Sequence, residues 1–164
     1  MYTREIPILK IKIIALGKIK ESFLKSGVDE FLKRLAPYAS VEITELSPIE
    51  IKDDNLTDKI LEEEGEKILS QIKEGSYVIT LEIQGEQLSS EEFAQKINEI
   101  TMLGVSELVF VIGSSCGLAK SVSNRANFKL SFSKMTFLHQ FARLILVEQI
   151  YRAFKILKNE KYHK

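Results

Sequence analysis

Five consecutive apolar residues, Leu108-Val109-Phe110-Val111-Ile112, end abruptly at Gly113. A strand with one wet face alternates apolar and polar residues, whereas an unbroken apolar run has to be covered on both sides. That requires a sheet sandwiched between helices, and the rest of the chain supplies the parts. Lys10 to Leu16 reads as a first strand ended by Gly17. Glu21 to Leu35 fits a helix with Phe23, Leu24, Val28, Phe31, Leu32 and Leu35 on one face and Pro37 as its stop. Val41 to Leu46 alternates as a strand, and residues 47–55 form a polar loop. Leu56 to Ile72 is an acidic amphipathic helix with Leu56, Ile60, Leu61, Ile68, Leu69 and Ile72 inward. Tyr77 to Ile83 is a third strand. Ser89 to Ile100 is a helix opened by a capping box, Ser89 with Glu92. Leu118 to Asn127 is a short helix, and Phe128 to Phe132 a fifth strand. Strands alternate with helices throughout, so the predicted fold is α/β, a single domain with a mostly parallel sheet and helices on both faces.

The last third differs in character. Leu130-Ser131-Phe132-Ser133-Lys134-Met135-Thr136-Phe137-Leu138-His139 is rich in hydroxyls and aromatics, and a long apolar helix, His139 to Leu157, follows directly. Small polar and aromatic residues against a buried helix make a good wall for a flat ligand, with backbone groups for its edge and rings for its face. The same stretch can equally be an ordinary strand-to-helix turn with Thr136 as N-cap. Apolar residues go most of the way around the helix, so it needs more than one partner. One side can lie on the sheet, and we expect the other to meet a second copy across a two-fold axis, giving a homodimer.

Charge is split along the chain. The formal net charge is zero, yet residues 106–164 carry 10 Lys and Arg against 3 Asp and Glu, and residues 1–105 carry 13 against 20. The positive end surrounds the hydroxyl-rich loop, and a local basic patch can attract phosphates whatever the total. No apolar run approaches membrane-span length, and the N-terminus lacks a signal-peptide layout. With a single cysteine, Cys116, no intrachain disulfide can form. We expect a cytoplasmic protein with no membrane association. His139 and His163, the two histidines, are too far apart in sequence to suggest a metal, and none is assigned.

Gly113-Ser114-Ser115-Cys116-Gly117 matches G-x-S-x-G between a strand and a helix, the context of a hydrolase nucleophile. Glu148 and His163 are the acid and base that could follow Ser115 in the required order. The glycines also let backbone approach a ligand at the C-terminal end of a parallel strand, where such sheets bind ligands. Arg143 and Arg152 sit on the apolar helix, so each has to pair with a carboxylate such as Glu148 or face an anionic ligand.

LSFSKMTF followed by a free position and HQ, the string EQIYRAFKI, and the terminal YHK together resemble the small bacterial SPOUT methyltransferases of the RlmH (YbeA-like) family. KIKIIALGKIKE and VIG-x-S-x-GL fit the same family, and the resemblance runs from about Leu9 to Lys164. It implies a SPOUT fold with a C-terminal trefoil knot. It also implies S-adenosyl-L-methionine-dependent N3-methylation of a pseudouridine in 23S rRNA on assembled ribosomes. By the resemblance, Leu81, Gly113, Phe132, Ser133, Lys134, Met135, Thr136 and Phe137 contact the methyl donor. Candidate catalytic residues are His139, Arg143 and His163, because loss of the pseudouridine N3 proton needs a base or a cation to stabilise the anion. Tyr162 and Lys164 are candidate acceptor contacts, an aromatic to stack on a base and a cation beside it. Ser114 stands where the family usually has glycine, and Leu138 where it usually has proline. Residues 1–8 precede the family's usual start and are expected to be an N-terminal extension.

Overall fold

The computed structural model describes residues 8–50 and 52–162. Five strands, β1 (Leu9–Leu16), β2 (Ala39–Leu46), β3 (Tyr77–Gln87), β4 (Leu108–Ile112) and β5 (Phe128–Ser131), form one sheet in the order β2-β1-β4-β3-β5. All neighbouring pairs are parallel. Helices α1 (Ser22–Leu35), α3 (Ser90–Met102) and α5 (His139–Leu157) pack together on one face. Helices α2 (Thr57–Ser70) and α4 (Lys120–Arg125) pack together on the other. A short 3-10 turn, Asp54–Leu56, leads into α2.

The unbroken run of β4 divides its side chains between the two layers. Leu108, Phe110 and Ile112 join the core that contains α1, α3 and α5 residues, while Val109 and Val111 join the core under α2 and α4. All five are buried. The predicted capping box is present: Glu92 N–H donates to Ser89 Oγ at 3.1 Å, and Ser89 N–H to Glu92 Oε2 at 2.6 Å. Two predicted inward positions point out instead. Phe23 is 61% exposed, because α1 is anchored by Leu24, Val28 and Leu35 one step around the helix. Leu56 is exposed because it belongs to the 3-10 turn before α2 rather than to its buried stripe.

β3 is longer than predicted and irregular. Leu81 and Glu86 both pair with Leu130, so residues 82–85 bulge out of the ladder. A side chain at Gly85 would meet the Lys129 carbonyl oxygen at 2.7 Å, so this bulge depends on glycine. After β5 the chain crosses the C-terminal ends of the strands to begin α5 close to Gly17, at the end of β1. That crossing lies in the region where the resemblance places the knot.

α5 is the central helix of its layer, held between α1 and α3. Leu146, Val147, Ile150, Tyr151, Ala153 and Phe154 are all buried within the one chain. Most of the apolar girth read from the sequence is therefore used inside the protomer, leaving Phe141 and Leu157 as its exposed large apolar residues. Among the described residues no helix is long and apolar enough to cross a membrane.

Candidate functional site

A cavity of about 550 Å³ opens at the C-terminal edge of the sheet, where β3, β4 and β5 end side by side. Its size falls within the range of about 300–1,000 Å³ usual for small-molecule sites. Leu81 and the β3 bulge form one wall, the Gly113–Leu118 turn a second, and the loop after β5 a third. Of the residues expected from the sequence, Leu81, Gly113, Phe132, Ser133, Met135, Thr136, Phe137 and His139 line it. Lys134 is exposed and lies outside the lining. Glu82, Gln84 and Ala142 also line it and were not singled out from the sequence.

Each wall is shaped by its own local chemistry. Gly113 is tight: a Cβ there would lie 2.5 Å from the Gly117 carbonyl oxygen. Gly117 adopts φ 87°, and its N–H donates to the Ser114 carbonyl at 2.9 Å, closing the turn. A branched residue at 113 would therefore spread the turn itself, before any question of touching a ligand. In the β3 bulge, Glu82 accepts from Thr80 Oγ1 at 2.6 Å and from Ser123 Oγ at 2.9 Å. In the loop after β5, Ser131 Oγ donates to the Ser133 carbonyl at 3.1 Å, and Met135 N–H donates to Ser133 Oγ at 3.0 Å. These short-range bonds turn the chain without help from a distant element.

Thr136 does not cap α5. The N-cap is Leu138, with no side-chain capping bond, and Thr136 faces the cavity instead. Leu138 has φ −56°, a value that proline itself would hold, so leucine here leaves the path of the loop unchanged.

His139 begins α5 at the cavity rim. Burial, reinforced by the positive charges of Arg143 and Lys20, pushes its imidazole below the ordinary value. It is neutral at pH 7, with a nitrogen free to accept a proton. Gln140 fixes this corner by accepting from Lys20 N–H at 2.9 Å. Arg143 lies one turn on, outside the cavity lining and 1% exposed. It is tied to Glu45 and to the Gly17 carbonyl. Arg152 pairs with Glu148 at 2.6 Å. Both arginines thus follow the carboxylate alternative, although the partner of Arg143 is one that the sequence did not suggest.

Tyr162 is docked rather than frayed. Its hydroxyl donates to Glu148 Oε1 at 3.1 Å, its ring meets Tyr151 edge-on at 4.8 Å, and the Arg152 guanidinium lies 4.7 Å above it. Tyr162, given from the sequence only as a candidate acceptor contact, packs against the core. His163 and Lys164 lie outside the described residues. Glu148, the acid of the G-x-S-x-G alternative, is taken up by Arg152, Gln149 and Tyr162, and the base of that alternative, His163, lies outside the described residues.

Residues 9–163 match the model of a family described as predicted SPOUT methyltransferase. The ribosomal RNA large subunit methyltransferase H of Carboxydothermus hydrogenoformans is 51% identical over 160 residues, 95% of this chain and 100% of that protein. Among solved structures, a probable methylase family protein from Haemophilus influenzae aligns with 92% of this chain and 67% of its own. The TM-score of that alignment is 0.49, and the identity is 12%.

Proposed function

The chain belongs to the SPOUT methyltransferase family, and on that premise we propose that it transfers a methyl group from S-adenosyl-L-methionine to N3 of a pseudouridine in 23S rRNA of assembled ribosomes. The observation that carries the reading is the convergence of three sequence-distant segments on one cavity. Leu81, Gly113 and the Phe132–Phe137 loop, which the family resemblance alone had grouped, line it together. The walls suit the donor: apolar side chains for a flat purine and backbone groups at strand ends for its edge. When bound, S-adenosyl-L-methionine supplies an electrophilic methyl group on a sulfonium.

The chain's own residues then have to align the acceptor and remove its N3 proton. Neutral His139, at the rim, is the acceptor for that proton. Arg143 acts through it, holding the start of α5 against the ends of β1 and β2. The tail serves a second copy. Tyr162 is pinned to residues 9–13 positions beyond His139 on α5, roughly 13–20 Å along the helix. His163 and Lys164, which follow Tyr162 in sequence, serve the partner's cavity in a homodimer that works in the cytoplasm. Net charge is zero, so docking relies on the shape of the particle more than on general phosphate affinity.

The test is mass spectrometry of 23S rRNA from cells with and without the gene, followed by methylation of ribosomes and of protein-free RNA by the purified protein. We expect loss of one N3-methylpseudouridine without the gene and transfer to ribosomes only. Unchanged rRNA in the deletion strain would reject the reaction, and efficient methylation of a short naked hairpin would reject the particle as substrate.

A further inference from the structure

Behind the Gly113–Gly117 turn, on the α2 side of the sheet, sits a carboxylate that the proposed reaction does not use. Glu64 is 2% exposed. Its Oε1 accepts from Ser114 Oγ at 3.1 Å, and its Oε2 accepts from Ile49 N–H at 3.1 Å. Among the described residues it forms no ion pair. A buried carboxylate without a cation costs stability that a packed apolar side chain would not. Its two partners need it less than it needs them, because Ile49 and Ser114 are only half-buried and within reach of water. Stability alone therefore gives α2 no reason to hold an acid here.

The geometry gives another reason. Gly65, next in sequence, lets α2 close onto α4, since a Cβ there would lie 2.7 Å from Ala119 Cβ. This contact brings the Glu64 carboxylate up to the turn between β4 and α4. Ser114 is the knot of that turn. Its hydroxyl also accepts from Cys116 N–H at 3.3 Å, and its carbonyl accepts from Gly117 N–H. Ser114 and Gly113 both line the cavity. Through Ile49 the same carboxylate also ties down the loop between β2 and α2.

We propose that Glu64 is a positioning residue, which acts through Ser114 to hold the Gly113–Gly117 turn in the shape that admits the methyl donor. The inference rests on the reading of the cavity as the S-adenosyl-L-methionine site. A wall held in advance spares the ligand the ordering of the turn, so its loss should appear in affinity rather than in the chemical step.

Calorimetry of S-adenosyl-L-methionine binding to the wild-type full chain comes first, since absent binding there would reject the cavity reading itself. Given binding, Glu64→Met and Ser114→Ala are compared with wild type, together with the double variant. Loss of a hydrogen bond to a charged group predicts a dissociation constant raised about tenfold in each single variant. The double variant should be no weaker than Glu64→Met, because both changes cut one path. At saturating donor the kcat of Glu64→Met, whose side chain lies outside the cavity lining, should stay within about twofold, so that the change falls in KM. The melting temperature of Glu64→Met should equal or exceed that of wild type. Unchanged donor affinity in Ser114→Ala, or strictly additive losses in the double variant, would overturn the proposal. So would a fall in melting temperature with affinity intact.

Discussion

Arg143 on α5 donates to Glu45 at the end of β2, Nη1 to Oε2 at 2.7 Å, across 98 residues of sequence. Its Nη2 reaches the Gly17 carbonyl at 3.0 Å, while Nε is buried without a partner. One guanidinium thus joins α5 to the ends of two strands. Removing Glu45 leaves a charge 1% exposed and uncompensated. Because Glu45 itself is 39% exposed, water moderates the loss, and Glu45→Ala should cost about 1–3 kcal/mol rather than the ~3–5 of a fully buried pair. Urea unfolding measures it, and a change below about 0.5 kcal/mol would show that the pair does not hold the helix.

His139 carries the pH dependence of the same corner. An unfolded chain's imidazole titrates at about 6.5, and the folded one lies lower because of burial and the charges of Arg143 and Lys20. As pH falls, the unfolded state takes up the proton first. The stability contributed by neutral His139 is present in full above the unfolded value and is lost as pH drops through the folded one. Wild type should lose more stability between pH 7.5 and 5 than His139→Gln does. An NMR titration placing His139 at or above the ordinary value would refute the account.

Leu138→Pro should stabilise the protein. The backbone is already at φ −56°, and among the described residues no bond from the Leu138 N–H to another backbone group would be lost. Restricting the unfolded chain at such a position is worth about 0.4–1 kcal/mol. A melting temperature lowered by the substitution would mean that Phe137 cannot accept a following proline.

The homodimer has to be probed at a residue of α5 that its own protomer leaves uncovered. Ile150 is 0% exposed within its own protomer, so Ile150→Glu would unfold the chain whether or not it dimerises. Phe141, 42% exposed and with its ring 6.2 Å from that of exposed Phe23, is the better position. Phe141→Glu should keep the far-ultraviolet circular dichroism of wild type and scatter light as a monomer at micromolar concentration. A wild type that is already monomeric there would refute the dimer.

Truncation of the tail has to respect Tyr162. A chain ending at Lys161 loses the edge-on contact with Tyr151 and the bond to Glu148, together worth about 1–3 kcal/mol. A chain ending at Tyr162 should melt as wild type does and bind S-adenosyl-L-methionine, yet transfer methyl poorly. Wild-type transfer by that chain would leave His139 as the acceptor's sole candidate base.

The sequence by itself determined whatever depends on neighbours a few residues apart. The unbroken run of β4, the Ser89–Glu92 capping box and the bounds of α5 are local patterns, and the structure has all three. The hydroxyl-rich loop is similar, since its bends are made by Ser131 and Ser133 within the loop. Family strings then grouped Leu81 and Gly113 with that loop, which periodicity could not have done. Tertiary structure alone decided the sheet order, the β3 bulge over residues 82–85, and the partner of each buried charge. Glu64 reads as one more acid on an acidic helix until α2 is laid against α4. Arg143 reads equally as an ion-pair partner and as a ligand for an anion until Glu45 arrives from another strand. A burial pattern records that a side chain is covered, but the identity of the covering group depends on how distant elements pack.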